Sequence, residues 1–285
     1  GIPNFKLTKA IVDEKIAFLE GLGVQFVCNT WIGRDIPLQD LLEKHGYDAV
    51  FIGTGAPLGN RLNVPGEELR GVYQATDFLV RGNLPPELLP ENLREPLEPG
   101  RRVVVIGGGD TSMDCVRTAR RLGAEEVYCV YRRTEKEMRG REEERRHARE
   151  EGVEFLFLTV PLRILDDGTG RAAGVEFQRM ELGEPDETGR RRPVPVPGSE
   201  FVLEADSVVI AIGYQADPTV PQTTPGLKAD RWGLIHIDPE TCRTSVPGVF
   251  AGGDNVNGAD LVVTALADGR RAAQAMHRYL QQLDR

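Results

Sequence analysis

The chain has 285 residues, enough for two domains with a sizeable buried core. Its 44 acidic residues outnumber 35 lysines and arginines, and the formal net charge of −9 argues against a general nucleic-acid or polyanion binder. No run approaches the roughly 18 apolar residues of a membrane span, and no signal peptide is visible. We therefore expect neither a nucleic-acid partner nor a membrane.

Four cysteines are spread along the sequence without a CxxC pair, namely Cys28, Cys115, Cys129 and Cys242. A structural zinc or iron–sulfur site needs clustered thiolates, so we predict no metal site. Cys115 and Cys129 fall within apolar patterns that are typical of small core residues. Because few, scattered thiols suit a reducing compartment, we expect a cytoplasmic protein.

The first part of the chain alternates between helical and strand patterns. Apolar residues at helical spacing predict a helix over 11–22, closed by Gly23. A short strand over 24–27 and a helical turn over 40–44 follow. The continuous apolar run 49–52 predicts a strand that is buried on both faces of a parallel sheet.

A βαβ unit follows a proline-rich connection over 82–100. The pattern predicts a strand over 102–106, a glycine turn, a helix over 110–122 and a second strand over 127–131. Mixed charges over 139–151 predict a solvated helix with i,i+4 ion pairs.

The second half of the chain adds strands and one long helix. We predict a strand over 153–158 and an antiparallel meander over 163–203, with a turn at Pro185 and Asp186. Buried strands are predicted over 208–212 and 248–251, and a helix from about residue 260 to the end. The whole pattern indicates an α/β fold.

The glycine turn has the spacing of a dinucleotide-binding fingerprint. Gly107, Gly109 and Ser112 occupy the three small positions between a strand and an amphipathic helix. The helix N-terminus offers free N–H groups and the positive end of its dipole to a pyrophosphate. A plain tight turn is the alternative. The predicted cofactor-binding residues here are Gly107, Gly108, Gly109, Asp110 and Thr111.

The residues after the second strand of this unit indicate which dinucleotide is bound. An NAD site tends to place an acidic side chain there, on the ribose hydroxyls. This chain has Arg132 and Arg133 instead, whose guanidinium groups suit the 2′-phosphate of NADPH. Two exposed arginines without a ligand are the alternative.

A second motif follows the strand over 248–251. Asp254, preceded by Gly253, can accept hydrogen bonds from a polyol such as the ribityl chain of a flavin. The helix that follows can face the edge of a flavin ring that gains negative charge on reduction. A helix simply packed in the core is the alternative. The predicted flavin-binding residues here are Gly253, Asp254, Leu261, Val262 and Ala265.

Two further strand ends carry glycines that allow close approach to a cofactor. Thr54 and Gly55 follow the strand over 49–52, and Gly213 follows the strand over 208–212. Each of these ends is, by itself, no stronger a signal than an ordinary turn.

No pair of nucleophile and base stands out, so the catalytic residues are unknown. The four histidines lie in unrelated sequence contexts. This pattern is compatible with hydride transfer, in which the cofactors carry the chemistry and the protein aligns them.

Together these motifs resemble the small (β) subunit of NADPH-dependent glutamate synthase, within the FAD- and NAD(P)-dependent pyridine nucleotide-disulfide oxidoreductases. The NADPH-binding part of dihydropyrimidine dehydrogenase and the large subunit of NADH-dependent ferredoxin:NADP reductase are similar. The resemblance runs through essentially the whole chain. The segments that carry it are 1–7 (GIPNFKL), 64–67 (VPGE), 107–111 (GGGDT), 131–134 (YRRT) and 251–254 (AGGD).

The resemblance implies two Rossmann-like domains, with an NADPH domain over 65–216 inserted into a flavin domain formed by 1–64 and 217–285. It implies that NADPH reduces FAD and that electrons pass to a partner, either a large amidotransferase-type subunit or a ferredoxin-like one. The expected flavoprotein is then an electron-transfer oxidoreductase.

The chain differs from that family in two features of its N-terminal side. It contains neither a cysteine-rich region nor a second glycine fingerprint for the ADP half of FAD. We therefore expect an incomplete flavin domain that lacks its ADP-binding part. The alternatives are a non-catalytic NADPH-binding module or fragment without bound flavin, and a scaffold that docks to a glutamate synthase large subunit.

Overall fold

The computed structural model describes residues 1–185 and 191–283. Two sequence predictions lie partly outside the described residues. They are the turn at Pro185 and Asp186 and the last two residues of the C-terminal helix. The helices are α1 (Lys9–Gly21), α2 (Leu38–Glu43), α3 (Ala75–Asn83), α4 (Asp110–Arg121), α5 (Glu142–Glu150), α6 (Thr219–Thr223), α7 (Asp254–Asn257) and α8 (Val262–Leu283). Short 3-10 turns cover Pro86–Leu88, Glu91–Leu93 and Glu135–Glu137.

Twelve strands are formed by the described residues. They are β1 (Val50–Ile52), β2 (Leu58–Gly59), β3 (Val72–Gln74), β4 (Arg102–Ile106), β5 (Glu126–Val130), β6 (Val153–Leu156), β7 (Thr159–Asp166), β8 (Ala172–Pro185), β9 (Arg191–Glu204), β10 (Ser207–Ile210), β11 (Tyr214–Gln215) and β12 (Val249–Ala251).

The chain divides into two compact units. The first contains residues 1–16 and 59–213, and the second contains 17–58 and the residues from 214 onward. The sequence prediction drew its boundaries after residues 64 and 216 and assigned the first 64 residues to the second domain. The first compact unit contains the N-terminal 16 residues, and the predicted domain boundaries stay a prediction.

The first unit is built on a five-stranded parallel sheet with the order β3-β10-β4-β5-β6. Its central strand β4 is buried almost throughout, and its successive residues are buried on opposite faces of the sheet. Such strands are apolar in every position because both faces of a parallel sheet are covered. The predicted βαβ unit is therefore confirmed.

The two faces of this sheet pack against different layers. Val103 and Val105 point into a core shared with Phe78 of α3 and Met113 of α4. On the opposite face, strand residues pack against residues of β7 and β8 such as Phe177. The alternation follows from the twofold periodicity of a strand.

An antiparallel sheet of three strands, β7-β8-β9, covers that second face. It confirms the meander predicted over 163–203. Phe177 and Phe201 lie opposite each other on neighbouring strands, with ring centroids 5.8 Å apart. Such cross-strand aromatic pairs stabilise the register of long strands.

The second unit contains a parallel pair of strands, β1 and β12, and the long helix α8. The pair has Ile52 opposite Ala251, and Phe250 packs against Tyr279 of α8 with ring centroids 5.6 Å apart. The predicted burial of the first strand on both faces is wrong at Phe51, which is 38% exposed.

The strand predicted over 24–27 is also wrong. This segment is assigned to no strand, and Phe26 and Val27 are exposed. A β-strand is stabilised by hydrogen bonds to a neighbouring strand. Among the described residues no strand pairs with the segment, so its apolar pattern alone does not create a strand.

No helix among the described residues has the length and apolar content that crossing a membrane requires.

We predict that replacing Met113 with alanine destabilises the first unit. The side chain is completely buried between α4 and the sheet, and truncation leaves a cavity that costs about 2–5 kcal/mol. Urea unfolding measures this loss. The exposed Glu143→Ala on α5 is the control, with an expected change within about 0.5 kcal/mol. Equal stability of the two variants would contradict the packing described.

Candidate functional site

The glycine turn joins β4 to α4 and depends on two close contacts. Gly107 has φ +146°, and a Cβ atom at this position would collide with the carbonyl oxygen of Ala211. A Cβ atom at Gly108 would collide with the ring of Tyr131. Only glycine combines this backbone conformation with such close packing. The turn therefore brings the start of α4 directly against the end of the sheet.

Gly109 serves a different purpose from the other two glycines. It is the N-cap of α4 in an extended conformation, and a Cβ atom there would meet nothing within 4 Å. Glycine has no side chain that could cap the helix, so the first amide groups of α4 remain available to a ligand. The space and the helix dipole together form a cradle for an anion such as a pyrophosphate.

Ser112 allows α4 to pack closely on the neighbouring strand. Its side chain is fully buried, and its hydroxyl donates a hydrogen bond to the carbonyl of Ala211 at 3.3 Å. The position was recognised as the third small residue of the fingerprint. Its contact explains why a small residue is needed there.

Asp110 and Thr111 form the first turn of α4, beside this cradle. The carboxylate of Asp110 accepts a hydrogen bond from the backbone N–H of Arg141 at 2.9 Å. The N–H of Gly140 donates to the carbonyl of Gly108 at 3.0 Å. The segment before α5 therefore supports the glycine turn, a role that the charged composition of this region concealed.

The helix α5 is only partly the solvated helix that its charges predicted. Arg146 and Glu150 do form an exposed i,i+4 pair at 2.8 Å. Glu144, however, is buried and binds Lys6 at 2.7 Å and Arg117 at 2.8 Å. Burial opposes its ionisation, but hydrogen bonds and positive charge from these two partners lower the pKa of Glu144. The prediction is wrong for this face, which packs against α4.

The two arginines after β5 have different environments. Arg132 is exposed, whereas Arg133 is only 9% exposed. The Nε of Arg133 is buried and has no hydrogen-bond partner among the described residues. Thr134 and Glu137 form a capping box that orders the loop immediately after them. A buried guanidinium nitrogen without a hydrogen-bond partner suits an anionic ligand.

Gly213 follows β10, the neighbour of β4 in the sheet. It has φ +101°, and its carbonyl accepts a hydrogen bond from the N–H of Asn60 at 3.0 Å. The carboxyl ends of parallel strands lie at one edge of a sheet, where ligands of doubly wound folds bind. The first unit therefore brings together the predicted residues that follow β4, β5 and β10.

The second unit holds the other predicted residues, at the carboxyl ends of β1 and β12. The side-chain amide of Asn255 donates to the carbonyl of Ile52 at 3.1 Å and connects the two strand ends. Thr54 and Gly55 follow β1, with Thr54 exposed and Gly55 at φ +71°. The parallel pairing explains why these separate segments share one edge.

The turn after β12 leads into α7 and contains Gly253 and Asp254. Gly253 has φ +81°, and a Cβ atom there would lie 3.5 Å from the Cβ of Ala265. Asp254 is half-buried, and this burial raises the pKa of its carboxyl group. Leu261 and Val262 are exposed at the start of α8.

Asp268 is a site residue that the sequence interpretation missed. Its buried carboxylate accepts hydrogen bonds from the N–H of Gly253 at 2.9 Å and from the side chain of Asn257 at 2.6 Å, and it pairs with Arg271. Burial opposes its ionisation, but these partners lower the pKa of Asp268. The available sequence signal was an acidic residue among the small and apolar residues of the predicted helix, and its burial became visible only in the structure.

The cysteines Cys115 and Cys129 are fully buried, as predicted. Burial raises the pKa of Cys129 to about 12 and that of Cys115 well above its ordinary value. Within residues 1–185 and 191–283, no three or more histidine, cysteine, aspartate or glutamate residues are grouped so that they could hold a metal ion.

The parallel sheet and the glycine turn are those of a dinucleotide-binding fold. Residues 18–269 match the family described as pyridine nucleotide-disulphide oxidoreductase, and the chain belongs to that family. The predicted family and the predicted α/β fold are thereby confirmed.

Two curated relatives are glutamate synthase [NADPH] small chains. The chain is 46% identical to that of Halomonas elongata over 98% of its own length and 59% of the relative's. It is 45% identical to that of Escherichia coli (strain K12) over 99% of its own length and 60% of the relative's. The chain thus spans less than two thirds of the length of these relatives.

Two solved structures are similar in fold. Mycobacterium tuberculosis FprA in complex with NADPH has a TM-score of 0.72 at 23% identity, covering 90% of this chain and 68% of that one. T. acidophilum thioredoxin reductase has a TM-score of 0.60 at 24% identity, covering 82% of this chain and 66% of that one.

We predict that two alanine substitutions in the glycine turn change different properties. Gly109→Ala mainly lowers dinucleotide affinity, and Gly107→Ala mainly lowers stability. Gly109→Ala fills open space, so it costs at most about 1 kcal/mol of stability as an N-cap change. It also obstructs the cradle, so dinucleotide affinity falls by at least about tenfold. Gly107→Ala costs about 1–3 kcal/mol from backbone strain alone, before its collision with Ala211.

Thermal unfolding and dinucleotide titration of both variants check these effects. Unchanged affinity in Gly109→Ala would show that no ligand approaches this position.

Proposed function

We propose that this chain takes a hydride from NADPH and passes electrons through a flavin to a partner, as the NADPH-dependent unit of a glutamate-synthase-like oxidoreductase. The observation that carries the proposal is the open cradle at Gly109 beside Arg132 and Arg133. When the diphosphate of the dinucleotide lies at the cradle, the adenosine ribose lies at the carboxyl end of the neighbouring strand, β5.

The choice of NADPH over NADH rests on charge. A 2′-phosphate supplies an acceptor for the buried Nε of Arg133, which has no hydrogen-bond partner among the described residues, and the exposed Arg132 can close over the same group. An acidic residue, which would favour NADH, is absent from both positions. The names of the glutamate synthase [NADPH] relatives agree with this choice.

The residues of the second unit fit one part of FAD. Asp254 offers a carboxylate to ribityl hydroxyls, and the start of α8 offers amide groups and apolar side chains to a ring edge. FAD, when bound, supplies an acceptor for the two electrons of a hydride. Among the described residues, the one glycine fingerprint, at Gly107, belongs to the NADPH site that we propose, so the residues of the second unit account for the ribityl and ring part of FAD.

The partner is an electron-accepting subunit, and a glutamate synthase small chain among the relatives suggests a large amidotransferase-type subunit. A ferredoxin-like acceptor is the other candidate. Four free thiols fit a reducing compartment such as the cytoplasm.

The second candidate function is a non-catalytic NADPH-binding module. The single fingerprint within the described residues favours it. Absorption spectra distinguish the two functions: flavin bands that bleach on addition of NADPH support the oxidoreductase, and a colourless protein that binds NADPH supports the module.

We predict that replacing both Arg132 and Arg133 with alanine weakens NADPH binding far more than NADH binding. Loss of a charge-assisted pair costs about 1.5–3 kcal/mol, or roughly ten- to hundredfold in affinity. Titration of both nucleotides checks this expectation. The double variant Arg146→Ala/Arg149→Ala on the neighbouring helix removes the same charge and is the control. An equal loss for both nucleotides would refute the assignment of the 2′-phosphate.

We predict that Asp254→Ala lowers flavin retention and leaves NADPH affinity unchanged. The substitution removes the acceptor for ribityl hydroxyls in the second unit, while the glycine cradle lies in the first. Flavin absorbance per protein and NADPH titration give the two readouts. Asp48→Ala, an exposed aspartate of the same unit, is the control. An unchanged flavin content in the Asp254 variant would rule out this role.

A further inference from the structure

The segment 64–67 (VPGE) contains a buried carboxylate that the proposed function leaves unexplained. Glu67 is only 9% exposed. Its Oε1 accepts a hydrogen bond from the N–H of Leu62 at 3.2 Å, and its Oε2 accepts one from the N–H of Asn63 at 2.8 Å. The guanidinium of Arg61 lies 3.4 Å from Oε1. Burying a carboxylate costs free energy unless hydrogen bonds and charges compensate for it. The compensating groups here all belong to the loop 60–63, so Glu67 stabilises that loop.

The geometry requires a carboxylate and not an amide. The two backbone N–H groups approach different oxygens of Glu67, so both oxygens must be acceptors. Glutamine would offer one oxygen and turn its own NH₂ group towards the other donor. Asn63 adopts φ +57°, a left-handed conformation that asparagine tolerates better than most residues, and Glu67 accepts its N–H there.

The loop held by Glu67 is attached to the end of β10. The N–H of Asn60 donates to the carbonyl of Gly213 at 3.0 Å, and its side-chain amide lies 3.4 Å from the carbonyl of Ile212. Glu67 therefore acts through the loop on the carboxyl end of this strand. The same strand end contacts the glycine turn, because Ala211 packs against Gly107.

The order of the strands indicates which part of the ligand lies there. In the sheet, β4 lies between β10 and β5. With the 2′-phosphate beside Arg132 after β5 and the diphosphate at Gly109 after β4, the remaining half of the dinucleotide extends towards β10. That half carries the nicotinamide. This step rests on the proposed function.

We propose that Glu67 is a positioning residue that holds the loop 60–63 as a wall of the nicotinamide subsite. It does not touch the adenosine half of the ligand. Loss of Glu67 therefore loosens the nicotinamide end of the site and leaves the adenosine and diphosphate contacts in place.

The test compares two ligands that differ only at the nicotinamide end. NADPH contains both halves, whereas 2′-phospho-ADP-ribose lacks the nicotinamide ring. Calorimetric titration of the full chain gives both affinities, and the fluorescence of the reduced nicotinamide reports its surroundings directly. In Glu67→Gln we expect NADPH affinity to fall by about tenfold, 2′-phospho-ADP-ribose affinity to stay within about twofold, and the fluorescence change of bound NADPH to diminish.

The neighbouring Glu68→Gln is the matched control, because Glu68 is exposed and the substitution removes the same charge. It should bind both ligands like the unmodified chain. The Arg132→Ala/Arg133→Ala variant is the opposite control and should lose affinity for both. Equal losses for the two ligands in Glu67→Gln, or no loss for either, would overturn the proposal.

A second variant covers the case in which Glu67→Gln does not fold, as judged by circular dichroism. Asn60→Ala removes the side-chain contact to the carbonyl of Ile212 and keeps the backbone N–H that donates to Gly213, and it should weaken NADPH by about threefold without weakening 2′-phospho-ADP-ribose. An unselective or absent effect in that variant would then overturn the proposal. If the unmodified chain bound 2′-phospho-ADP-ribose but not NADPH, the nicotinamide subsite would be refuted. If it bound neither ligand, the proposed function itself would fail.

Discussion

The close approach of Gly107 to the carbonyl of Ala211 is the contact on which the first unit's ligand site depends. It places the start of α4 against the ends of two adjacent parallel strands. Ser112 strengthens the same approach with its buried hydroxyl group. Because the helix begins so close to the sheet, its first amide groups and the positive end of its dipole lie beside Gly109, where a Cβ atom would meet nothing within 4 Å.

Buried carboxylates stabilise the loops in both units. Glu67 accepts backbone N–H groups from a loop in the first unit, and Asp268 accepts the N–H of Gly253 in the second. Both acidic residues support backbone with positive φ, at Asn63 and Gly253 respectively. A carboxylate suits this purpose because it accepts several hydrogen bonds and donates none. In each unit, a loop beside the ligand site that we propose thus depends on a buried carboxylate for its conformation.

Local sequence signals were sufficient for elements that have one dominant burial environment. The continuous apolar run of β4 and the helical stripe of α4 predicted their elements within a residue or two, because each pattern matches one dominant burial environment. The pattern over 24–27 was equally apolar but forms no strand, because pairing needs a neighbour that local sequence does not reveal. The charges of α5 concealed the buried Glu144, whose partners Lys6 and Arg117 come from distant segments.

By itself the sequence determined the family, the α/β class and the position of the glycine turn, since these depend on short-range spacing and on a backbone conformation that only glycine adopts. Only the tertiary structure decided that Gly109 borders open space while Gly107 and Gly108 are packed, that Arg133 is buried while Arg132 is exposed, and that Glu67 and Asp268 hold loops. These properties depend on which distant atoms surround a residue. Burial and hydrogen-bond partners are consequences of the fold, and no local pattern encodes them.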